Sequence, residues 1–218
     1  ATRTLSKSNF NFSNIGTSST NLIVFDINGN INQKSAVVTV QDLIKPTVRT
    51  RNLTVILDDN GNGSVTVAQV DNGSRDNCAI ATRTLSKSNF DCSHIGTDTI
   101  WLRVTDKSGN IDSASAVITI HDETKPIVTT DNLDVYLDSN GNGSITFTEV
   151  DNGSTDNCTI ATRTISKSSF ESNDVGTNSI WLYVKDVSGN IDSASAFINV
   201  LDTIKPIIIT KNLTVNLN

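Results

Sequence analysis

An all-β fold of tandem antiparallel Greek-key sandwiches is predicted for this chain by three observations. Its motifs recur every 80 residues, its apolar residues alternate with polar ones, and turn signals punctuate it roughly every 8 to 12 residues. No stretch shows helical periodicity with caps, so no crossover helix is expected.

The repeat is read directly from the motifs. ATRT begins at Ala1, Ala81 and Ala161, and a Lys-Pro pair stands at Lys45-Pro46, Lys125-Pro126 and Lys205-Pro206. DNGS-x-DNC opens at Asp71 and Asp151, and the turn Ser108-Gly109-Asn110 returns at Ser188 and as Asn28-Gly29-Asn30. The prolines phase the chain: residues 1–45 read as the back part of a module, 46–125 and 126–205 as complete modules, and 206–218 as the first strands of another. Both ends fall within repeats and Met is missing from the composition, so the natural start is expected elsewhere. No apolar run has the length of a membrane span.

Composition narrows the function classes. A net charge of −6, with 18% charged residues and no basic block, argues against a nucleic-acid partner held by phosphate neutralisation. His94 and His121 become Asp174 and Leu201 one repeat later, which a catalytic histidine would not tolerate. There is no G-x-S-x-G elbow, no metal-spaced His or Cys set and no phosphate loop leading into a helix, so no enzyme is expected.

Each strand has its own signal. Leu53, Val55 and Leu57 alternate with polar residues, as do Leu133, Val135, Leu137 and Leu213, Val215, Leu217, so one face of each strand is buried. Gly61–Gly63 and Gly141–Gly143 read as hairpin turns leading to Val65 and Val67, or Ile145 and Phe147. Ile100, Leu102 and Val104 precede the turn at Ser108, and Ala114, Ala116, Ile118 and Ile120 form the last strand. About seven short strands per repeat give a sandwich, and a propeller blade would be about half as long. The short Asp122–Pro126 connection predicts neighbouring modules stacked end to end.

Strand facing also nominates a surface. With Ile100, Leu102 and Val104 inward, Trp101 and Arg103 point out, as do Trp181 and Tyr183. These four are candidates for contact with identical chains in a filament or with surface glycans, although Asn21 stands in the first copy. Thr content alone, without a short regular spacing, does not make an ice-binding face.

Acidic loops supply the remaining chemistry. If the strands alternate in direction, loop 151–157 and turn 186–190 lie at one end, where Asp122 and Glu123 arrive from the preceding repeat. Asp122, Glu123, Asp151, Asp156 and Asp186 would offer the hard oxygens Ca²⁺ takes, with Asp42, Asp71, Asp76 and Asp106 in the matching places earlier. Equally, Asp, Asn and Gly are the commonest turn residues. Asp58–Gly63 and Asp138–Gly143 resemble a calcium loop but lack its distal Glu and read as plain turns. Asn-x-Ser/Thr at Asn62, Asn72, Asn142 and Asn152 coincides with turns that need Asn.

DNGS-x-DNC, Phe90-Asp91-Cys92, Ile95-Gly96-Thr97, VTDKSGN at 104–110 and the Asp122–Pro126 junction together resemble the HYR-like immunoglobulin repeats of giant surface proteins in Bacteroidota. The resemblance covers the whole chain and implies export by the type IX route into gliding adhesins, surface filaments or stalks of secreted enzymes. It implies a Cys78–Cys92 disulfide, with Cys158 left as an unpaired, buried small residue because Ser172 replaces its partner. Asp112-Ser113-Ala114 and Asp192-Ser193-Ala194 resemble the O-glycosylation acceptor of that phylum. The expected role is a non-catalytic structural segment of an extracellular adhesin, stalk or filament. The alternative is a set of carbohydrate-binding or accessory modules on a secreted enzyme.

Overall fold

The computed structural model describes residues 1–215, so Leu217 and its neighbours lie outside the described residues. The chain is all-β and forms tandem immunoglobulin-like β-sandwich modules. Its contacts group into two compact units, one of Ala1–Val55 with Gly63–His121, the other of Ile56–Asn62 with the chain from Asp122 onward.

In the first unit, β1 (Thr2–Leu5), β2 (Gly16–Phe25) and β3 (Ile31–Val40) form a three-stranded antiparallel sheet in that order. The β2–β3 ladder runs from Gly16↔Val40 to Phe25↔Ile31. Its turn is closed by Asp26, whose Oδ1 accepts the Asn28 and Asn30 amides at 2.8 Å each. Gly29 sits in this turn at φ +86°, a conformation a side chain would strain. There follow β4 (Leu53–Ile56), β5 (Asn62–Ser64), the helical turn α1 (Val67–Val70), β6 (Ile80–Leu85), β7 (Asn89–Asp91), β8 (Gly96–Asp106) and β9 (Ile111–His121). The four-stranded sheet has the order β4-β9-β8-β6. Ile100, Leu102 and Val104 of β8 and Ala116, Ile118 and Ile120 of β9 are buried, as are Val65, Val70 and Phe90.

The second unit repeats the plan with β10 (Leu133–Tyr136), β11 (Asn142–Ser144), α2 (Phe147–Val150), β12 (Ile160–Ile165), β13 (Ser169–Glu171), β14 (Gly176–Asp186) and β15 (Ile191–Leu201). One layer has the order β10-β15-β14-β12, the other pairs β11 with β13. β10 lies parallel to β15, with Leu133 opposite Ile198. Val135, Leu137, Ile145, Val150, Phe170, Ile180, Leu182, Val184, Ala196, Ile198 and Val200 form one core between the layers. Period-two alternation puts Ile180, Leu182 and Val184 on one face of β14 and Ala196, Ile198 and Val200 on one face of β15, while Val150 comes from α2 and Phe170 from β13.

Three expectations are corrected. The turn at Asp138–Asn142 does not join a hairpin, since β10 and β11 belong to different layers. It is a corner, held by Asp138 Oδ1 accepting the Asn140 and Asn142 amides at 2.8 and 3.0 Å. Val67 and Phe147 begin helical turns rather than continuing strands, because Thr66 with Gln69, and Thr146 with Glu149, form capping boxes. The Leu213 strand is not formed over the described residues, and Ile207, Ile209 and Leu213 are 89%, 90% and 84% exposed. By the β10–β15 register its partner would stand 65 residues onward, past position 218.

Candidate metal centre

Three Asx turns build an acid cluster in the second unit. Asp122 Oδ1 accepts the Thr124 amide at 3.1 Å and Asn157 Nδ2 at 3.2 Å. Asp156 Oδ2 accepts the Cys158 amide at 2.9 Å. Asp186 Oδ1 accepts the Gly189 and Asn190 amides at 2.6 and 2.7 Å. Asp, Gly and Asn are what such turns require, which is why the repeat conserves its geometry between copies. Asn190 ties the parts together, donating Nδ2 to the carbonyls of Asp122 and Thr124 at 3.1 Å each and to Asp186 Oδ2 at 2.8 Å.

Carboxylate oxygens of Asp122, Asp156 and Asp186 lie within 4.8 Å of one another. Asp122 and Asp186 are 5% and 1% exposed, so two of the charges are withdrawn from water. Among the described residues, none of the three forms an ion pair. Burial first, then the charges of Asp122 and Asp186, pushes the Asp156 carboxyl above its ordinary value. Its Oδ1 is buried and has no hydrogen-bond partner. A hard cation with loose coordination, Ca²⁺ above all, fits a donor set of three carboxylates with an orphaned oxygen.

The first unit carries a different version. Asn110 Nδ2 donates to the carbonyls of Asp42 and Ile44 at 2.9 and 3.3 Å and to Asp106 Oδ2 at 2.8 Å. Here Asp42, Asp76 and the Cys78 thiol form the cluster. A hydrogen bond to Asp42, then burial, then the charges of Asp42, Asp76 and Asp106 push the Cys78 thiol up to about 11. A protonated thiol is a poor partner for a hard cation, so this cluster suits Ca²⁺ less well.

The remaining sequence candidates sit elsewhere. Asp151 is committed to Arg163, with Nε at 2.6 Å, and Asp71 to Arg83 at 2.8 Å. Glu123 is exposed and outside the cluster, and Asp106 braces the first cluster through Asn110. The Cys78–Cys92 disulfide is corrected: Cys78 is a free cysteine, and Cys92 is disulfide-bonded. The Ile80↔Asp106 pairing sets Cys78 near one end of β8, while Cys92 stands just before Gly96 at the other. Eleven strand residues separate those ends by about 33 Å, far beyond disulfide reach. Cys158, expected unpaired and buried, is disulfide-bonded and half-buried. Trp101, Trp181 and Tyr183 are 51%, 46% and 42% exposed, and Arg103 is exposed as well. The bracing role of Asn110 and Asn190 was missed by sequence reasoning, although Asn closing both Ser-Gly-Asn turns was the available signal.

Two histidines and the helices add little chemistry. His94 Nδ1 lies 3.1 Å from the Asp91 amide in the cap of its own turn, and His121 is exposed. Among the described residues, no helix is long and apolar enough to cross a membrane.

No family model and no curated protein matches the chain. Solved structures with detectable likeness include extracellular cadherin domains 1–4 of protocadherin gamma B7, at 12% identity and a TM-score of 0.35, covering 87% of this chain and 59% of that one. Domains EC1-2 of human mucin-like protocadherin match at 13% identity and a TM-score of 0.40, covering 72% of this chain and 98% of that one. The protocadherin gamma B4 extracellular domain matches at 16% identity and a TM-score of 0.38, covering 87% and 39%. The chain thus spans 59% of the length of the first of these. At such scores the likeness bears on neither site nor function.

Proposed function

We propose that this chain is a non-catalytic structural segment of an extracellular stalk, filament or adhesin of the HYR-like kind. Its repeat units are phased 46–125 and 126–205, with part of a unit at 1–45 and the opening of another at 206–218. The observation that supports this is the recurrence, 80 residues apart, of one sandwich plan with one asparagine-braced acid end. A unit that works by number is duplicated in this way, whereas a catalytic site needs only one copy. A fragment of residues 46–125 should unfold cooperatively, and a fragment cut in the ATRT phase, 81–160, should not. Electron microscopy of the native protein tests the role: a thin stalk or a multi-stranded filament supports it, and a globular particle sinks it.

Ca²⁺ is the cation for Asp122, Asp156 and Asp186 in this reading. It supplies positive charge that offsets three carboxylates; the chain's own Asx turns and Asn190 hold them in place beforehand. Asp122 precedes the Lys125-Pro126 step, so the ion would fix that short connection to loop 151–157 and turn 186–190 rather than fold the core. Calorimetric titration, with small-angle scattering in Ca²⁺ and in chelator, tests it. An absence of heat at millimolar ion and unchanged dimensions would leave these as ordinary turn residues.

A second reading is favoured by one feature. Trp181 and Tyr183 are exposed on β14 with Ser195 and Ser193 directly across on β15, two aromatic side chains edged by hydroxyls, residue types that suit the face of a sugar ring. Loss of chitohexaose or cellohexaose binding on Trp181→Ala would support glycan recognition, and no shift in wild-type spectra with either sugar would dismiss it.

A further inference from the structure

Asn-Gly is the dipeptide at which a chain most readily attacks itself, because glycine sets no side chain between its own nitrogen and the preceding carboxamide. Seven such pairs stand in this sequence. The fold sorts them. The amides of Gly29, Gly61 and Gly141 donate to the carbonyls of Asp26, Asp58 and Asp138 at 3.3, 2.8 and 2.9 Å. Asn62-Gly63 and Asn142-Gly143 lie inside β5 and β11, each paired with a neighbouring strand. Ring closure at any of these five would break a turn or a ladder.

Asn72-Gly73 and Asn152-Gly153 remain, and both stand in the same four residues, Asp-Asn-Gly-Ser, so local sequence gives them equal rates. Their surroundings differ. Asn152 Nδ2 donates to the Asp131 carboxylate at 2.8 Å, and the Asn152 carbonyl accepts Thr129 Oγ1 at 2.6 Å. One repeat earlier Arg51 and Arg49 occupy those places. Arg51 directs its guanidinium to the carbonyls of Ala68 and Asp71 at 3.4 and 3.3 Å. Asn72 and Gly73 are exposed, and among the described residues their one hydrogen bond runs from the Asn72 amide to the Arg49 carbonyl at 2.9 Å. The Asn72 carboxamide is therefore free to turn, and no acceptor holds the proton of the Gly73 amide.

We propose that Asn72 is a site of spontaneous modification, deamidating to aspartate and isoaspartate ahead of every other Asn-Gly pair in the chain. Hydroxide takes the Gly73 amide proton, and the nitrogen attacks Asn72 Cγ and bonds to it. The bond from Cγ to Nδ2 then breaks, and ammonia leaves with a proton from water, which restores the hydroxide. Water opens the resulting succinimide at either of its carbonyls. The reaction needs neither a cation nor an enzyme. Each event adds a negative charge beside Asp71, whose Oδ2 accepts Arg83 Nε at 2.8 Å. Isoaspartate also puts one more methylene into the main chain at residue 72, between the Thr50↔Asp71 and Thr47↔Arg75 bridges. The loosening falls on segment 47–50, which loop 71–75 clasps.

Ageing the 218-residue chain in mildly alkaline buffer made with heavy-oxygen water, followed by peptide mapping in a mass spectrometer, tests the proposal. The Asn72 peptide should deamidate at least about tenfold faster than the Asn152 peptide, which must first give up a hydrogen bond to a carboxylate. Electron-transfer fragmentation should find isoaspartate at position 72. Asp131→Ala, a change at an exposed side chain, should bring Asn152 up to the rate of Asn72 and leave Asn72 as it was. In denaturing urea the two rates should converge. Equal rates in the folded chain, a lead taken by any other pair, or an Asn152 rate unmoved by Asp131→Ala overturns the proposal. So does a gap between the two that persists in urea, since local sequence would then be its cause.

Discussion

Replacing Asp156 by Asn removes one charge from the Asp122–Asp156–Asp186 cluster while keeping the shape of the side chain. With carboxylate oxygens within 4.8 Å, each ionised pair repels by about 3 kcal/mol at an effective dielectric constant of roughly 20. Asp156 takes part in two such pairs, but partial protonation and solvent relieve much of the repulsion, leaving a net gain of about 1–2 kcal/mol. For a chain of this size that raises the apparent melting temperature by about 3–6 °C in chelator at neutral pH. Because its folded-state value is raised, the bare carboxyl costs nothing while protonated in both states, below the ordinary carboxylate range. Its cost grows as pH rises through the elevated value, so the advantage of Asp156→Asn should be absent near pH 3 and full at pH 7. Calcium reverses the order. At an ion concentration about 100-fold above Kd the unaltered chain gains about 2.7 kcal/mol, and the variant, one ligand short, gains less. Differential scanning calorimetry in chelator and in Ca²⁺ measures both. A variant less stable than the parent in chelator, with a parent indifferent to Ca²⁺, would refute the reasoning.

Other perturbations separate the neighbouring groups. Burial raises the Asp151 carboxyl, but its hydrogen bonds to Ser154 and the Arg163 guanidinium outweigh this and hold it below its ordinary value. Asp151→Asn should therefore cost about 1–3 kcal/mol at pH 7, a cost that disappears as urea melts are taken down through the acid range where the parent loses the same stabilisation. Phe170→Ala should destabilise by about 3–5 kcal/mol in denaturant titrations, whereas Trp181→Ala should change stability by about 0.5 kcal/mol or less, since only the first is buried. Cys78, held up to about 11, should react with iodoacetamide about 100-fold more slowly at pH 7 than an ordinary exposed thiol, and Asp42→Asn should speed it.

Much of the fold was legible because its signals are local or periodic. The alternation of Leu133, Val135 and Leu137, and of Ile100, Leu102 and Val104, reports a buried face whatever the partner strand is. What such alternation cannot report is which layer a strand joins, and so the Asp138 turn reads as a hairpin when it is a corner. Thr66 and Gln69 carried the capping-box signal for α1, but Val65 and Val67 continue a strand pattern across it and mask the change. The acid cluster was partly legible from the loops that converge on one end. Sorting its members was not, because Asp151 and Asp156 look alike until Arg163, twelve residues beyond Asp151, claims one of them. The cysteines failed for a related reason: proximity in sequence between Cys78 and Cys92 hides the length of β8 that lies between their positions.

The parallel course of β10 and β15 has a mechanical consequence. The chain enters this sheet at the start of β10 and leaves it at the end of β15, so tension along the chain pulls the two strands past each other in opposite directions. The ladder from Leu133↔Ile198 to Tyr136↔Leu201, the Leu137 amide on the Leu201 carbonyl and the hydrogen bonds of Thr130 with Ser195 and of Asn132 with Phe197 are all loaded in shear at once. An antiparallel hairpin such as β14–β15, pulled from its open end, would instead yield one bond at a time. Under force, survival is set by the rate of crossing the unfolding barrier rather than by equilibrium stability. A small sandwich with modest equilibrium stability can therefore bear a load well, provided the load runs through its first and last strands.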